Sequence, residues 1–417
     1  MERQPPLKRN DDIVLTVDAL GSEGQGIGRH EGFAVFVPGA LPGETVRTHI
    51  IKAAPSYAIG KLTGIFAQSP DRAAPACPLF SRCGGCSLQH MRYEAQLSFK
   101  RQVVADALTR IGGFEGVSVN ETLGMDTPWH YRNKGSFPFA VVDGKTETGF
   151  FAPRSHRVVP LESCPIERKG AIAVALAVRA WAREYAVPVY DEETHKGILR
   201  HAMARIASDE GVMAAVVTNA ALPRERELIS TLKERVPGLK SVIHNINPAR
   251  TNAILGRTFK TLWGAARIDH PLCGLTFEVS AASFLQVNTE QTERLYQTVL
   301  AYLAPRGDET VADVYCGIGT ISLLLAKSAK RVIGIENVPE AVEDAKRNAA
   351  LNCIENAEFL CGDAEAVLPK LVKDGARLSA AVVDPPRKGC DEAALRAIAG
   401  AGVSRLIYVS CNPATLA

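Results

Sequence analysis

Two residues near the carboxyl end of the chain stand where a nucleophile and a substrate-holding acid would be wanted. Cys411, in Ser410-Cys411-Asn412-Pro413, follows the apolar run 405–409, and Asp384 closes the apolar run 380–384 and opens D-P-P-R-K-G. A thiolate at the end of a strand can add to an electron-poor carbon and leave again. Asp384, beside Pro385 and Pro386 in a stiff loop, could hydrogen-bond the edge of a flat polar substrate and hold it in place. Upstream, residues 311–325, V-A-D-V-Y-C-G-I-G-T-I-S-L-L-L, read as strand, tight loop and helix. Gly317 and Gly319 let the backbone approach a nucleotide with no Cβ in the way, and the helix beginning near Thr320 points its free N–H groups at that loop. Seventeen residues past Gly319, the apolar stretch 331–336 ends in Glu336, a carboxylate suited to the two hydroxyls of a ribose. A G-x-G alone occurs in many unrelated turns; strand, loop, helix, strand and acid together point to nucleotide binding.

A second group is Cys77, Cys83 and Cys86, a C-x5-C-x2-C arrangement in a glycine-bearing loop, with Cys164 as the other cysteine of the first half. Three thiols so close want a metal, and spacing does not separate zinc from an iron-sulfur cluster, because both accept four thiolates. Ten cysteines in a chain with a polar amino terminus and no export signal argue for ligands, nucleophiles or buried thiols over a disulfide framework. No run of about 18 apolar residues is present, so no transmembrane helix is expected and the cytoplasm is the default address. The net charge of +3 excludes neither nucleic acid nor a small-molecule substrate.

The elements that must position these residues fall into three parts. Residues 12–71 alternate in short apolar runs between glycine and proline turns, which predicts a small antiparallel β-barrel; His30, Arg47, Lys52 and Lys61 could line a face for single-stranded nucleic acid. Residues 72–270 carry the cysteine loop, a helix over 96–111, a hairpin at Asp143-Gly144, helices at 169–185 and 224–235 and strands between them, an α+β domain. Arg132, Lys134, Arg154 and Arg157 give the hairpin region a basic side that could hold a phosphate backbone, although a solvated strand face reads equally simply. Residues 271–417 alternate strand and helix five times, which predicts a parallel, Rossmann-like sheet with Asp384 and Cys411 at the carboxyl ends of adjacent strands.

These motifs carry a resemblance. G-I-G, F-L-Q-V-N at 284–288, D-P-P-R-K-G and S-C-N-P, with the four cysteines and the barrel, resemble the S-adenosylmethionine-dependent RNA (uracil-C5)-methyltransferases of the 23S ribosomal type, and the barrel resembles a TRAM domain. The resemblance implies a [4Fe-4S] cluster on Cys77, Cys83, Cys86 and Cys164. It implies that Gln286, Tyr315, Gly317, Gly319, Thr320, Glu336, Asp363 and Asp384 contact the cofactor or the base, with Thr320 and Asp363 departing from the usual pattern. The implied partner is ribosomal RNA at a single-stranded or loop uridine, bound by a monomer away from any membrane.

Chemical reasoning agrees. Uracil C5 is too weak a nucleophile to take a methyl group directly, and thiolate addition at C6 by Cys411 loads electron density onto it. The base must be unstacked to be reached, which suits loop or single-stranded RNA. The family's proton-abstracting glutamate lies well beyond S-C-N-P, whereas this chain stops six residues after Cys411. The expectation is therefore a domain truncated after its fifth strand, which binds cofactor poorly and traps an RNA adduct. A transfer RNA substrate and a binding protein without turnover are the competing readings; an amino-methyltransferase fits less well, because Arg387 follows Pro386 where such enzymes carry an aromatic residue.

Overall fold

The computed structural model describes residues 6–417, which form two compact units. One holds the residues up to Leu123 together with Phe151–His156, and the other holds Gly124–Phe150 with Arg157–Leu416.

The first unit opens with the expected barrel. Strands β1 (Asp12–Leu20), β2 (Gly26–His30), β3 (Phe33–Val37), β4 (Thr45–Ala53) and β5 (Tyr57–Ala67) close in the order β1-β2-β3-β5-β4. Alternation turns Leu15, Val17, Val35, Val37, Val46 and Ile50 inward, all of them buried. Outside, the Arg47 guanidinium lies 5.2 Å from the Phe66 ring centre and the Lys52 ammonium 5.8 Å from that of Tyr57. Helix α1 (Tyr93–Arg110) follows the cysteine loop.

The second unit contains two large sheets. The first begins with β6 (Lys134–Val142) and β7 (Lys145–Phe151), joined by Asp143 and Gly144 at φ 49° and 74°. Two positive φ values are what a primed hairpin turn requires, so the Asp-Gly signal is met. After β8 (Val158–Pro160) come helix α2 (Lys169–Glu184), β9 (Leu199–Ile206), β10 (Val212–Thr218), α3 (Glu225–Arg235), β11 (Leu239–Ile246) and β12 (Thr258–Gly264). The strand order β12-β11-β10-β9-β6-β7-β8 leaves β9 and β10 central, and every residue of both is buried. Helices cover one face, and a core of Met203, Met213, Ile243 and Ile268 fills the other. A hairpin of β13 (Arg267–Leu272) and β14 (Leu275–Ser280) leads through loop 281–288 into α4 (Thr289–Leu303).

The second sheet is parallel and doubly wound. Its members are β15 (Thr310–Val314), α5 (Thr320–Ala326), β16 (Arg331–Glu336), α6 (Pro339–Leu351), β17 (Ala357–Cys361), α7 (Ala364–Lys373), β18 (Ala380–Val383), α8 (Glu392–Gly400), β19 (Arg405–Tyr408) and a last turn, α9 (Pro413–Leu416). The order is β17-β16-β15-β18-β19, so the connections reverse direction between β15 and β18. Val311, Val332 and Val382 pack on one face, and Ala312, Val314, Ile333, Ile335, Ala381 and Val383 on the other. Two covered faces explain why these strands read as unbroken apolar runs. Among the described residues no helix is long and apolar enough to cross a membrane.

Candidate active site

The reversal between β15 and β18 is where open α/β sheets bind ligands, and a cavity of ≈ 1690 Å³ in the second unit opens there. It is lined by Gln286, Tyr315, Gly317, Thr320, Glu336, Asp363, Asp384 and Cys411. Of the sequence-derived site residues outside the cysteine loop and Cys164, only Gly319 is not on that wall. Gly319 instead caps α5 at φ 83°, and a Cβ there would sit 3.1 Å from the Phe359 ring. Its glycine serves the turn and the packing beneath the site.

Each side chain is held by a local device. Tyr315 takes a left-handed backbone, φ 67°, where β15 breaks into the loop, with its N–H on the Ile335 carbonyl at 2.8 Å. A bulky residue in that region is strained and persists only because its surroundings enforce it. Glu336 accepts from the Gly317 N–H at 3.0 Å and from the Val338 N–H at 2.9 Å, one on each carboxylate oxygen. The carboxylate thus fixes the glycine loop while keeping lone pairs for hydroxyl donors. Asn337 donates to Asp363 at 3.0 Å, and the Thr320 and Tyr296 hydroxyls lie 3.0 Å apart. Asp384 leaves β18 with its N–H on the Val314 carbonyl. Since β18 and β19 pair in parallel, with Val383 opposite Tyr408, Asp384 and Cys411 follow the carboxyl ends of neighbouring strands. Burial pushes the Asp384 carboxyl up to about 6. Cys411 is exposed, in a turn where Asn412 N–H donates to the Ser410 hydroxyl at 3.1 Å.

Sequence reasoning missed four contributors. Asp313 is wholly buried on β15 and lines the cavity; Ser322 donates to one carboxylate oxygen, the other has no partner among the described residues, and burial raises the group to about 7. It was hidden inside a run that reads as plain strand. Asn133 donates to the Gln286 carbonyl at 2.9 Å, and its own N–H to the Val287 carbonyl at 2.8 Å. Arg205 on β9, buried and pushed down to about 10 by burial, donates to the Ser283 carbonyl. Glu167, raised to about 7 by burial, holds Arg132 at 3.1 Å. Residues more than 70 positions away in sequence therefore shape the Gln286 loop, and nothing local signals such pairings.

One expectation needs correction. Lys134 does not belong to a solvated basic face: it is half-buried, and burial, together with Arg205 and Arg132, lowers it to about 8. Among the described residues no group of three or more His, Cys, Asp or Glu side chains could hold a metal ion. The three loop cysteines belong to the first unit and Cys164 to the second. Cys83 accepts from the Gly85 N–H at 3.4 Å and Cys86 from the Gln89 amide at 3.2 Å. Burial, with Cys77 nearby, raises the Cys83 thiol. Four thiolates are the donor set that zinc or an iron-sulfur cluster accepts.

Comparison with known proteins places this geometry. Residues 273–417 match the family model described as tRNA (Uracil-5-)-methyltransferase, and residues 7–63 match the TRAM domain. The chain is 45% identical over 418 residues to an uncharacterized RNA methyltransferase of Halalkalibacterium halodurans, covering 100% of this chain and 91% of that protein. The chain belongs to the RNA (uracil-5-)methyltransferase family. An uncharacterized RNA methyltransferase of Clostridium tetani is 44% identical over 419 residues, again covering 100% of this chain and 91% of the relative. The tRNA (uracil-54, C5)-methyltransferase of Pyrococcus abyssi, solved with S-adenosyl-L-homocysteine, superposes with a TM-score of 0.78 at 24% identity, over 97% of this chain and 91% of that one. That likeness extends the shared fold over the barrel and the methyltransferase sheet alike. As a member of the family the chain is an RNA-modifying transferase, and its barrel is a TRAM domain.

Proposed function

We propose that this enzyme methylates C5 of a uridine in 23S ribosomal RNA, with Cys411 as nucleophile and S-adenosylmethionine as methyl donor. The observation that carries the reading is that Cys411 and Asp384 share one cavity wall with Glu336, Asp363 and Gln286. The cavity suits the donor: Glu336 keeps acceptor capacity for ribose hydroxyls, and the orphaned oxygen of Asp313 suits an ammonium group. A Cβ at Gly317 would meet nothing within 4 Å, so space lies open above the loop.

The bound donor supplies an electrophilic methyl group on a sulfonium. Cys411 Sγ adds to uracil C6, the C5–C6 double bond becomes an enolate, and C5 takes the methyl group. Loss of the C5 proton to a base re-forms the double bond as the Cys411 thiolate leaves. Asp384 accepts from the pyrimidine edge and Gln286 holds the ring from the neighbouring loop, so the base is oriented before attack. The ribosomal choice rests on the resemblance of the motif set; an RNA-modifying enzyme of this kind works as a monomer in the cytoplasm beside its substrate.

Every turnover exchanges the C5 hydrogen, so RNA carrying tritium at uridine C5 is expected to release tritium to water, one atom for each methyl group gained. Unmodified 23S ribosomal RNA should show this and unmodified transfer RNA should not. Release from transfer RNA alone would reassign the substrate, and methylation without release would exclude C5.

The [4Fe-4S] cluster on Cys77, Cys83, Cys86 and Cys164 belongs to the same proposal, supported by the resemblance and by the C-x5-C-x2-C spacing. Protein purified without oxygen is expected to contain four iron and four sulfide per chain, by the stoichiometry of a cubane. A colourless protein without iron would remove it.

A further inference from the structure

The cavity is larger than one small ligand needs, since such sites hold roughly 300–1,000 Å³, against ≈ 1690 Å³ here. Part of its wall is not methyltransferase sheet. Strand β12 is the edge of the seven-stranded sheet, and Arg257, Phe259 and Thr261, two residues apart and so on one face, all line the cavity. Lys260 points the other way, to Glu225 on α3 at 2.9 Å. A register shift opposite Val242 and Ile243 then turns Trp263 to the same side as Lys260, beneath the Lys233 ammonium of α3 at 5.1 Å. The bulge leaves Phe259, 40% exposed, as the single aromatic that β12 shows to the cavity.

Charge separates the cavity's cations into two classes. Arg132 is bound by Glu167, and Arg267 and Arg347 by Asp344. Arg257, Arg387 and Lys388 line the same cavity, are exposed, and have no ion-pair partner among the described residues. Two arise from the D-P-P-R-K-G loop beside Asp384 and one from the residue that leads into β12. Free cations flanking an exposed aromatic ring are the elements of a single-strand nucleic-acid groove: guanidinium and ammonium for phosphates, a ring face for a base.

We propose that β12 and the 384–389 loop form a track for the RNA beside the target uridine, in which a flanking base stacks on Phe259 while Arg257, Arg387 and Lys388 hold its phosphates. This rests on the RNA reading above and deepens it, because the bases adjoining the methylated position then contribute to substrate choice. A stacked neighbour also keeps the strand from restacking the extruded uridine.

The test uses this chain of 417 residues with S-adenosylhomocysteine and unmodified 23S ribosomal RNA, in binding titrations at several salt concentrations. Phe259→Ala is expected to weaken RNA binding about tenfold, and Phe259→Trp to restore it, while cofactor affinity by calorimetry and the thermal midpoint stay put. Arg257→Ala is expected to flatten the slope of log K against log salt by about one. Unchanged RNA affinity in Phe259→Ala, or equal loss in the Trp variant, would overturn the track. Covalent capture of 5-fluorouridine RNA by Cys411 of the parent chain with S-adenosylmethionine, alongside unaltered binding by Phe259→Ala, would overturn the track and leave the methyltransferase reading standing. A parent that binds RNA but captures no 5-fluorouridine RNA with S-adenosylmethionine would count against the reading, with the track still judged by the Phe259 titrations.

Discussion

Cys411→Ala is expected to abolish the denaturation-resistant complex that the parent chain forms with RNA containing 5-fluorouridine in the presence of S-adenosylmethionine. Fluorine at C5 cannot leave as a proton, so the reaction halts after sulfur addition and methyl transfer, and the outcome is independent of which group serves as base. On ordinary RNA the same substitution should lower methyl transfer on the order of 10^4-fold or more, the scale for removing a covalent nucleophile. Exposure of Cys411 in a short turn means the variant should keep its thermal midpoint. A complex that survives in Cys411→Ala would assign the nucleophile elsewhere, with Cys390 the nearest alternative in sequence. That thiol is half-buried and raised by burial, and its own N–H donates to the Tyr408 hydroxyl at 3.1 Å, so it is poorly suited to attack.

The second large effect is at Asp384. Its carboxyl, raised to about 6 by burial, accepts from a pyrimidine N–H far more strongly when ionised. Activity should therefore climb as pH rises through about 6 and level off above it. Asp384→Asn should erase that limb and lower kcat/KM about 100-fold. Stability runs the other way. A carboxyl whose folded pKa lies above its unfolded value binds its proton more tightly when folded, so its contribution is complete below about 4 and is lost as pH rises through about 6. The Asn variant should thus melt above the parent at pH 8 and lose that advantage in acid. A pH profile without the limb in the parent, or one retained in the variant, would assign the titration to another group.

Much of the site was legible because its signals are local. A glycine loop between an apolar strand and a helix, a carboxylate after the next strand, and a cysteine and an aspartate each ending an apolar run all follow from backbone periodicity and from where parallel sheets end. The Asp-Gly hairpin was legible for the same reason. The basic face at residues 132–157 was not: charge alone does not reveal that Lys134 sits opposite Arg205 across the β6–β9 pairing, within a buried layer. The thiol spacing likewise left open how the four cysteines are arranged.

By itself, the sequence determined the class of chemistry, the barrel, the parallel sheet and the cavity residues that follow each strand, since every one of these depends on neighbours within a few turns or one β-α step. Only the tertiary structure decided how the Gln286 loop is held, by Asn133 and Arg205 from the other sheet. It also decided that Asp313 is a buried acid on the cavity wall and that Arg257 and Phe259, at the start of β12, line the same cavity as Cys411. Those are pairings across long stretches of chain, set by sheet order and by a one-residue bulge, and a slip of one residue would send the same side chains to the opposite face.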